Sequence, residues 1–284
     1  MNSTPQMPDP TPAPPRGHWR DLARLWELTG SPLRPSAQDT GFLSAAVEAW
    51  ARVQGAPRAL ILGVTPETYR LPWPAGADVM AADHTQAMID TIWPGPRDAV
   101  IRAEWTDLPL PAGSRDIVLC DGGFHLLSHP QAQRQLIRAI HSIIAPGGLC
   151  IFRLFTPPPR REAPDAVLQD LLDARIPNLN LLKLRLGMAL QPDKAEGVEL
   201  RHVWNTLHQA APDFARLAGQ IGWPLEHLLA INTYRDCPAR YYFLSLEEVC
   251  EMFCENPGGF RCEAVHTPTY ALGERCPTAV FRRV

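Results

Sequence analysis

Long apolar runs are missing from this 284-residue sequence: none reaches the about 18 residues needed to span a bilayer. The Pro-rich, largely uncharged start also lacks the basic-then-apolar order of a secretory signal. A cytoplasmic protein with no membrane partner is therefore expected. Blocks of like charge are missing too. A net charge of −3 offers no general attraction for nucleic acid, so a small-molecule substrate is the expected partner, and self-association into a homodimer is left open. The seven cysteines are odd in number and form no Cys-x-x-Cys pair, which argues against a disulfide framework and a structural zinc. Cys250 and Cys254 would share one helical face but have no matching His or Cys pair, so no metal is expected. No internal repeat is visible. The composition, 45% hydrophobic, is enough for a substantial core in one large α/β domain or two small ones.

The chain is organised around Ala59-Leu-Ile-Leu-Gly-Val-Thr-Pro-Glu67. Leu60, Ile61 and Leu62 read as a strand buried on both faces, and Gly63 allows a positive φ or a close backbone approach where it ends. A second apolar run, Val79-Met-Ala-Ala-Asp83, ends in a carboxylate about 20 residues past Gly63, the spacing at which a nucleotide-binding βαβ unit presents an acid to a ribose.

Residues 1–16 carry six prolines among polar residues and predict a disordered tail. A helical cap follows over 17–56. Trp19, Leu22, Ala23, Leu25 and Trp26 mark its first helix, to Leu28, and a second opens at Asp39-Thr40-Gly41 and runs to about Gln54. Over 57–155 strands and helices then alternate, which implies a doubly wound, mostly parallel sheet with strands at 59–63, 78–83, 99–104, 116–121 and 148–155. Ligands of such sheets lie beyond the carboxyl ends of the strands, so Gly63, Asp83, Glu104 and Asp121 are predicted to converge on one crevice. Helix 130–144 is closed by Ala145-Pro-Gly-Gly148. After Pro157 to Pro159 the alternation breaks. Residues 156–243 read as a mostly helical insertion, with a leucine-rich helix over 164–190 and no strand up to Trp223. Residues 244–284 complete the core with helix 246–255, for which Ser245 and Glu248 form a capping box, and two strands at 260–266 and 277–283. These make seven strands, with an antiparallel pair at the edge.

Residues 57–155 resemble the core of a class I S-adenosylmethionine-dependent methyltransferase. Asp83-His-Thr-Gln-Ala-Met88 stands where that family has Asp-x-Ser-x-x-Met, and Ala103-Glu104-Trp105-Thr-Asp-Leu108-Pro109 where it has Gly-Asp-Ala-x-x-Leu-Pro. Ser114-Arg-Asp116-Ile-Val118 matches Phe-Asp-x-Val, and Ile144-Ala-Pro146-Gly147-Gly148 matches Leu-x-Pro-Gly-Gly. The resemblance implies a Rossmann-like fold and S-adenosylmethionine as cofactor. It also implies roles: Gly63 for backbone approach to the methionine part, Asp83 with His84 beside it for the ribose hydroxyls, Met88 against the adenine, Glu104 at the adenine amine, and Trp105 for backbone N–H and a ring edge. Asp121 would lie near the methionine amine or the substrate. For Asp83 the residues alone also allow a helix N-cap, and for Glu104 a solvated acid.

One departure matters. The family's Gly-x-Gly-x-Gly loop is here Gly63-Val-Thr-Pro-Glu67, which keeps only the first glycine, so Thr65 and Pro66 must shape it. Glu67 is then a candidate for the ammonium contact and Arg34 for the carboxylate, unless Arg34 is a solvated loop residue. Asp121 and His125 stand where a catalytic base would lie, a structural role for His125 being the other reading. Phe124, His202, Asn205, Tyr234, Arg235 and Tyr241 are candidates for the substrate pocket, aromatics with fixed positive charge suiting a small carboxylated or aromatic molecule. The cluster from His202 to His208 reads equally as the polar outer face of a helix.

The expected activity is methyl transfer to a small molecule. Two alternatives stay open, the first of them kept by the altered loop. One is attack on another carbon beside the sulfur, in 3-amino-3-carboxypropyl transfer or a cyclisation that releases methylthioadenosine. The other is cofactor binding without chemistry.

Overall fold

Ala59 to Leu62 are all but free of solvent on both faces, and the fold grows outward from them. The structure, a computed structural model, describes residues 16–255 and 259–284. Two helices, α1 (Arg16–Arg24) and α2 (Ala37–Gln54), precede β1 (Arg58–Leu62), α3 (Pro66–Tyr69), β2 (Asp78–Asp83), α4 (Gln86–Ile92), β3 (Val100–Arg102), β4 (Arg115–Asp121), α5 (Gln131–Ile143) and β5 (Ile144–Arg153). Then come α6 (Pro164–Leu172), α7 (Leu179–Leu190), β6 (Val198–Glu199), α8 (Leu200–Ala210), α9 (Phe214–Ile221), α10 (Leu225–Leu229) and β7 (Arg240–Tyr241). The chain closes with α11 (Leu246–Cys254), β8 (Phe260–His266) and β9 (Thr278–Arg283).

The seven-stranded sheet has the order β3-β2-β1-β4-β5-β9-β8. β1 pairs in parallel with β2 and β4, Leu60 facing Met80 on one side and Val118 on the other. Side chains alternate across the sheet, so Leu60 and Leu62 pack with Leu136, Ile140 and Phe253 of α5 and α11. Ile61 points the other way, to Leu43 and Val47 of α2 and Ile89 of α4. Both faces are covered, which is why these strands read as continuous apolar runs. The pair β8 and β9 lies at one edge as expected; β9, antiparallel to both neighbours, takes the inner place and β8 the outer. The insertion has a core of its own, where leucines of α7 meet Val203, Leu207, Leu217 and Ile231.

Several boundaries differ from the sequence reading for physical reasons. The first helix stops at Arg24 and continues only as a short 3-10 turn, Trp26–Leu28. The second begins at Ala37 because Ser36 and Asp39 cap it reciprocally, as Ser245 and Glu248 cap α11. The expected helix over 164–190 is two: α6 ends at Leu172, where Ala174 turns to φ +55°, and α7 starts after Pro177 with Asn178 as cap, whose side chain accepts the Leu181 N–H over 3.0 Å. β5 starts at Ile144, before the Pro-Gly-Gly segment, with a register shift opposite Arg115 and Ile117. The segment read as strand-free contains the two-residue β6, paired with β7. The Pro-rich start lies, up to Pro15, outside the described residues, among which no helix is long and apolar enough to cross a membrane.

Candidate cofactor and substrate site

The carboxyl ends of β1, β2 and β4, with the loop after β3, open into one cavity of about 340 Å³, a size typical of small-molecule sites. Gly63 takes φ +96°, which disfavours any other residue, while its N–H donates to Ala82 O over 2.8 Å. The Trp105 Nε1–H donates to the same carbonyl over 2.8 Å, which pins its indole beside Gly63. Gly122, at φ +59°, leaves room for the Phe155 ring: a Cβ there would stand 2.8 Å from it. Thr65 and Val64 line the wall beyond Gly63, and Pro66 opens α3 behind them.

Asp83 ends β2, buried, with its carboxylate on the cavity. Its Oδ1 accepts the Thr85 N–H over 2.7 Å, so it braces the turn into α4, although Thr85 holds the N-cap place itself. Burial pushes its pKa up, against the pull of the Thr85 N–H and of His84, whose Nδ1 is 3.9 Å away; neighbouring Glu104 pushes it up further. Met88 and His84 also line this end. Glu104, exposed at the rim, forms no ion pair or hydrogen bond through its carboxylate among the described residues.

The structure does not bring Arg34 and Glu67 into this cavity. Arg34 Nε donates to Glu67 Oε1 over 2.8 Å, and its Cζ lies 5.0 Å from the centre of the Trp26 ring. Glu67 Oε2 is buried without a partner among the described residues. Asp121 reaches the wall, but its carboxylate accepts a hydrogen bond from Arg153 Nε, a side chain that is 1% exposed. Arg153 also donates to Pro32 O over 2.7 Å, fastening the loop before α2 to the end of β5. Burial pushes the Asp121 pKa up and Arg153 pulls it back; Asp121 in turn outweighs the burial that opposes the charge on Arg153. His125 lies in an aromatic cage, stacked 5.3 Å from Phe243 and edge-on 4.6 Å from Tyr241. Burial, helped by Arg153, lowers its pKa to about 3, so its ring is neutral.

Of the substrate candidates, Tyr234 and Tyr241 line the cavity and their phenols hydrogen-bond each other. Phe124 does not: it packs in the core against Phe152 and Phe253. His202 and Asn205 lie exposed on α8, whose Val203 and Leu207 face the core, so the polar-face reading holds for them. Arg235 is exposed too, its Cζ 5.1 Å from the centre of the Trp204 ring.

The sequence reading missed His18, Trp19 and Lys183. The His18 Nδ1–H donates to Thr233 O over 3.1 Å, tying α1 across the cavity to the turn that carries Tyr234. Burial lowers its pKa. Trp19 lines the same wall, its ring 6.2 Å from that of His84. Lys183 is buried on the cavity, with Nζ 4.9 Å from the centre of the Tyr234 ring. A lone lysine in the leucine-rich stretch Leu179-Asn-Leu-Leu-Lys-Leu was a visible signal. For His18 and Trp19 the sequence carried none beyond an aromatic helix.

Residues 62–152 match the family model described as "Methyltransferase domain". That segment carries Gly63, Asp83, Glu104 and Asp121, and its match supports the resemblance to the class I S-adenosylmethionine-dependent methyltransferases. No curated protein matches the chain. Among solved structures, one from Rhodobacter sphaeroides, assigned by its name to the Zn-dependent alcohol dehydrogenases, is similar with a TM-score of 0.60 and 15% identity over 95% of this chain and 98% of its own. The CcbJ methyltransferase from Streptomyces caelestis is similar with a TM-score of 0.53 and 13% identity over 94% and 97%. At such identities the likeness is one of fold. Among the described residues there is no group of three or more His, Cys, Asp or Glu side chains able to hold a metal ion.

Proposed function

We propose that the protein transfers the methyl group of S-adenosylmethionine to a small molecule. The observation that carries this reading is the buried Asp83 carboxylate at the end of β2, facing the same cavity as the positive-φ Gly63. The residues present fit the cofactor. Asp83 offers carboxylate oxygens to a ribose diol, Met88 and the pinned Trp105 ring supply apolar walls for an adenine, and Glu104 offers an acceptor to its amine. Gly63 lets backbone approach the methionine arm. When bound, S-adenosylmethionine supplies an activated methyl group to a nucleophile aligned with its sulfur.

The chain's own part is alignment and the exclusion of water. His18 and Trp19 of α1, with Tyr234 and Tyr241 beyond the core, close the cavity opposite the strand ends. Neutral His125, whose lowered pKa makes it a poor base, can accept a hydrogen bond at Nδ1, which is unpartnered among the described residues, and so orient a nucleophile. Asp121 is held by Arg153 and positions rather than reacts. Incubation with S-adenosylmethionine and pools of small metabolites, followed by chromatography of the spent cofactor, tests the reading. Acceptor-dependent S-adenosylhomocysteine supports it. Methylthioadenosine in its place would assign the chemistry to another carbon, and binding without turnover would leave a cofactor-binding protein.

A further inference from the structure

Among the described residues Lys183 has no counter-charge: its Nζ makes no hydrogen bond or ion pair, although the side chain is only 7% exposed and lines the cavity. Taking an ammonium out of water is costly unless something meets it. The Tyr234 face attracts the charge without neutralising it. None of the carboxylates on the cavity wall pairs with it: Asp83 and Glu104 stand at the end assigned to the cofactor, and Asp121 is taken by Arg153. The choice of residue is informative as well. The chain has two lysines against 25 arginines, and the other lysine, Lys194, pairs with Glu248 at the surface. A compact ammonium rather than a guanidinium fork therefore points into a small space.

What surrounds it is aromatic. Tyr234 and Tyr241 lie together, Tyr241 is edge-on to His125, and His125 stacks on Phe243. Lys183, Tyr234 and Tyr241, all on the cavity wall, come from residues beyond the segment 62–152 that carries the family match. They are the part of the site free to suit an acceptor. We propose that Lys183 is the anchor for the carboxylate of a small aromatic acid, whose ring is held among Tyr234, Tyr241 and His125. This assignment rests on the methyltransferase reading, since it makes that acid the acceptor.

The probes are benzoate and its neutral isostere benzamide, titrated calorimetrically into the full chain, with S-adenosylhomocysteine titrated separately. The wild type is expected to bind benzoate about tenfold or more tighter than benzamide. Lys183→Met, which fills the same space without charge, removes the difference, Lys183→Arg keeps most of it, and both variants bind S-adenosylhomocysteine as the wild type does. The preference also fades as pH rises through about 8, where burial has brought the Lys183 ammonium; His18 and Tyr234 are the titratable groups set against it. Equal binding of the two probes, no binding of benzoate, or a preference that survives Lys183→Met would overturn the proposal. So would a loss of S-adenosylhomocysteine affinity in Lys183→Met, which would give the lysine to the cofactor's own carboxylate. A lysine-dependent benzoate preference in a protein that binds no S-adenosylhomocysteine would instead sink the methyltransferase reading and leave the anchor standing.

Discussion

Arg34 and Glu67 neutralise each other: Arg34 Nε donates to Glu67 Oε1 over 2.8 Å, and neither side chain lines the cavity. The pair joins the turn before α2 to the first turn of α3, where the family pattern has further glycines. Loop shape here is held by an ion pair and Pro66.

Arg34→Met should therefore lower stability by about 1–3 kcal/mol, because it leaves the half-buried Glu67 carboxylate without its partner. Affinity for S-adenosylhomocysteine should stay within about twofold of wild type. Denaturant unfolding and calorimetry measure the two separately, and a large loss of affinity with unchanged stability would return Arg34 to the site.

A fully buried ion pair behaves differently from a partly exposed one. Arg153→Met should cost about 3–5 kcal/mol, since it strands the Asp121 carboxylate in the core of the site and frees Pro32 O. The double variant Arg153→Met, Asp121→Leu should recover much of that loss, because no unpaired charge remains. Urea unfolding of the single and double variants checks the order, and a double variant as unstable as the single would contradict it.

The fold was legible because its signals are local. Both-face burial makes β1 a continuous apolar run, and Ser245 with Glu248 marks the start of α11. Asp83 was legible by its spacing from Gly63. Pairings between distant side chains were not: nothing in the sequence joins Arg34 to Glu67 or Asp121 to Arg153, so free charges were expected where the structure has ion pairs. His202 and Asn205 failed for a related reason. A helical side rich in polar groups suits a pocket and a solvated face equally, and the burial of Val203 and Leu207 decides which. Lys183 escaped notice because a leucine-rich helix reads as core throughout.

Acid should destabilise the protein through His125. Its pKa is lowered from the ordinary 6.5 to about 3 by burial and by Arg153, so the unfolded chain takes up a proton that the folded chain refuses. The stability His125 contributes is complete above about 6.5 and is lost as pH falls from there toward about 3. Buried His18 adds in the same direction. His125→Phe, which keeps the ring among Phe155, Tyr241 and Phe243, should show a shallower fall of melting temperature between pH 6.5 and 4. Identical slopes would mean that His125 titrates normally.

The central claim is that the Asp83 carboxylate holds the ribose of a bound S-adenosyl cofactor. Calorimetric titration of S-adenosylhomocysteine into wild type and Asp83→Ala tests it most directly, with circular dichroism confirming that the variant is folded. One site per chain is expected in the wild type, weakened by about 1.5–3 kcal/mol in the variant, since a charged acceptor is lost. No binding to the wild type, or the same dissociation constant for both proteins, would contradict the account.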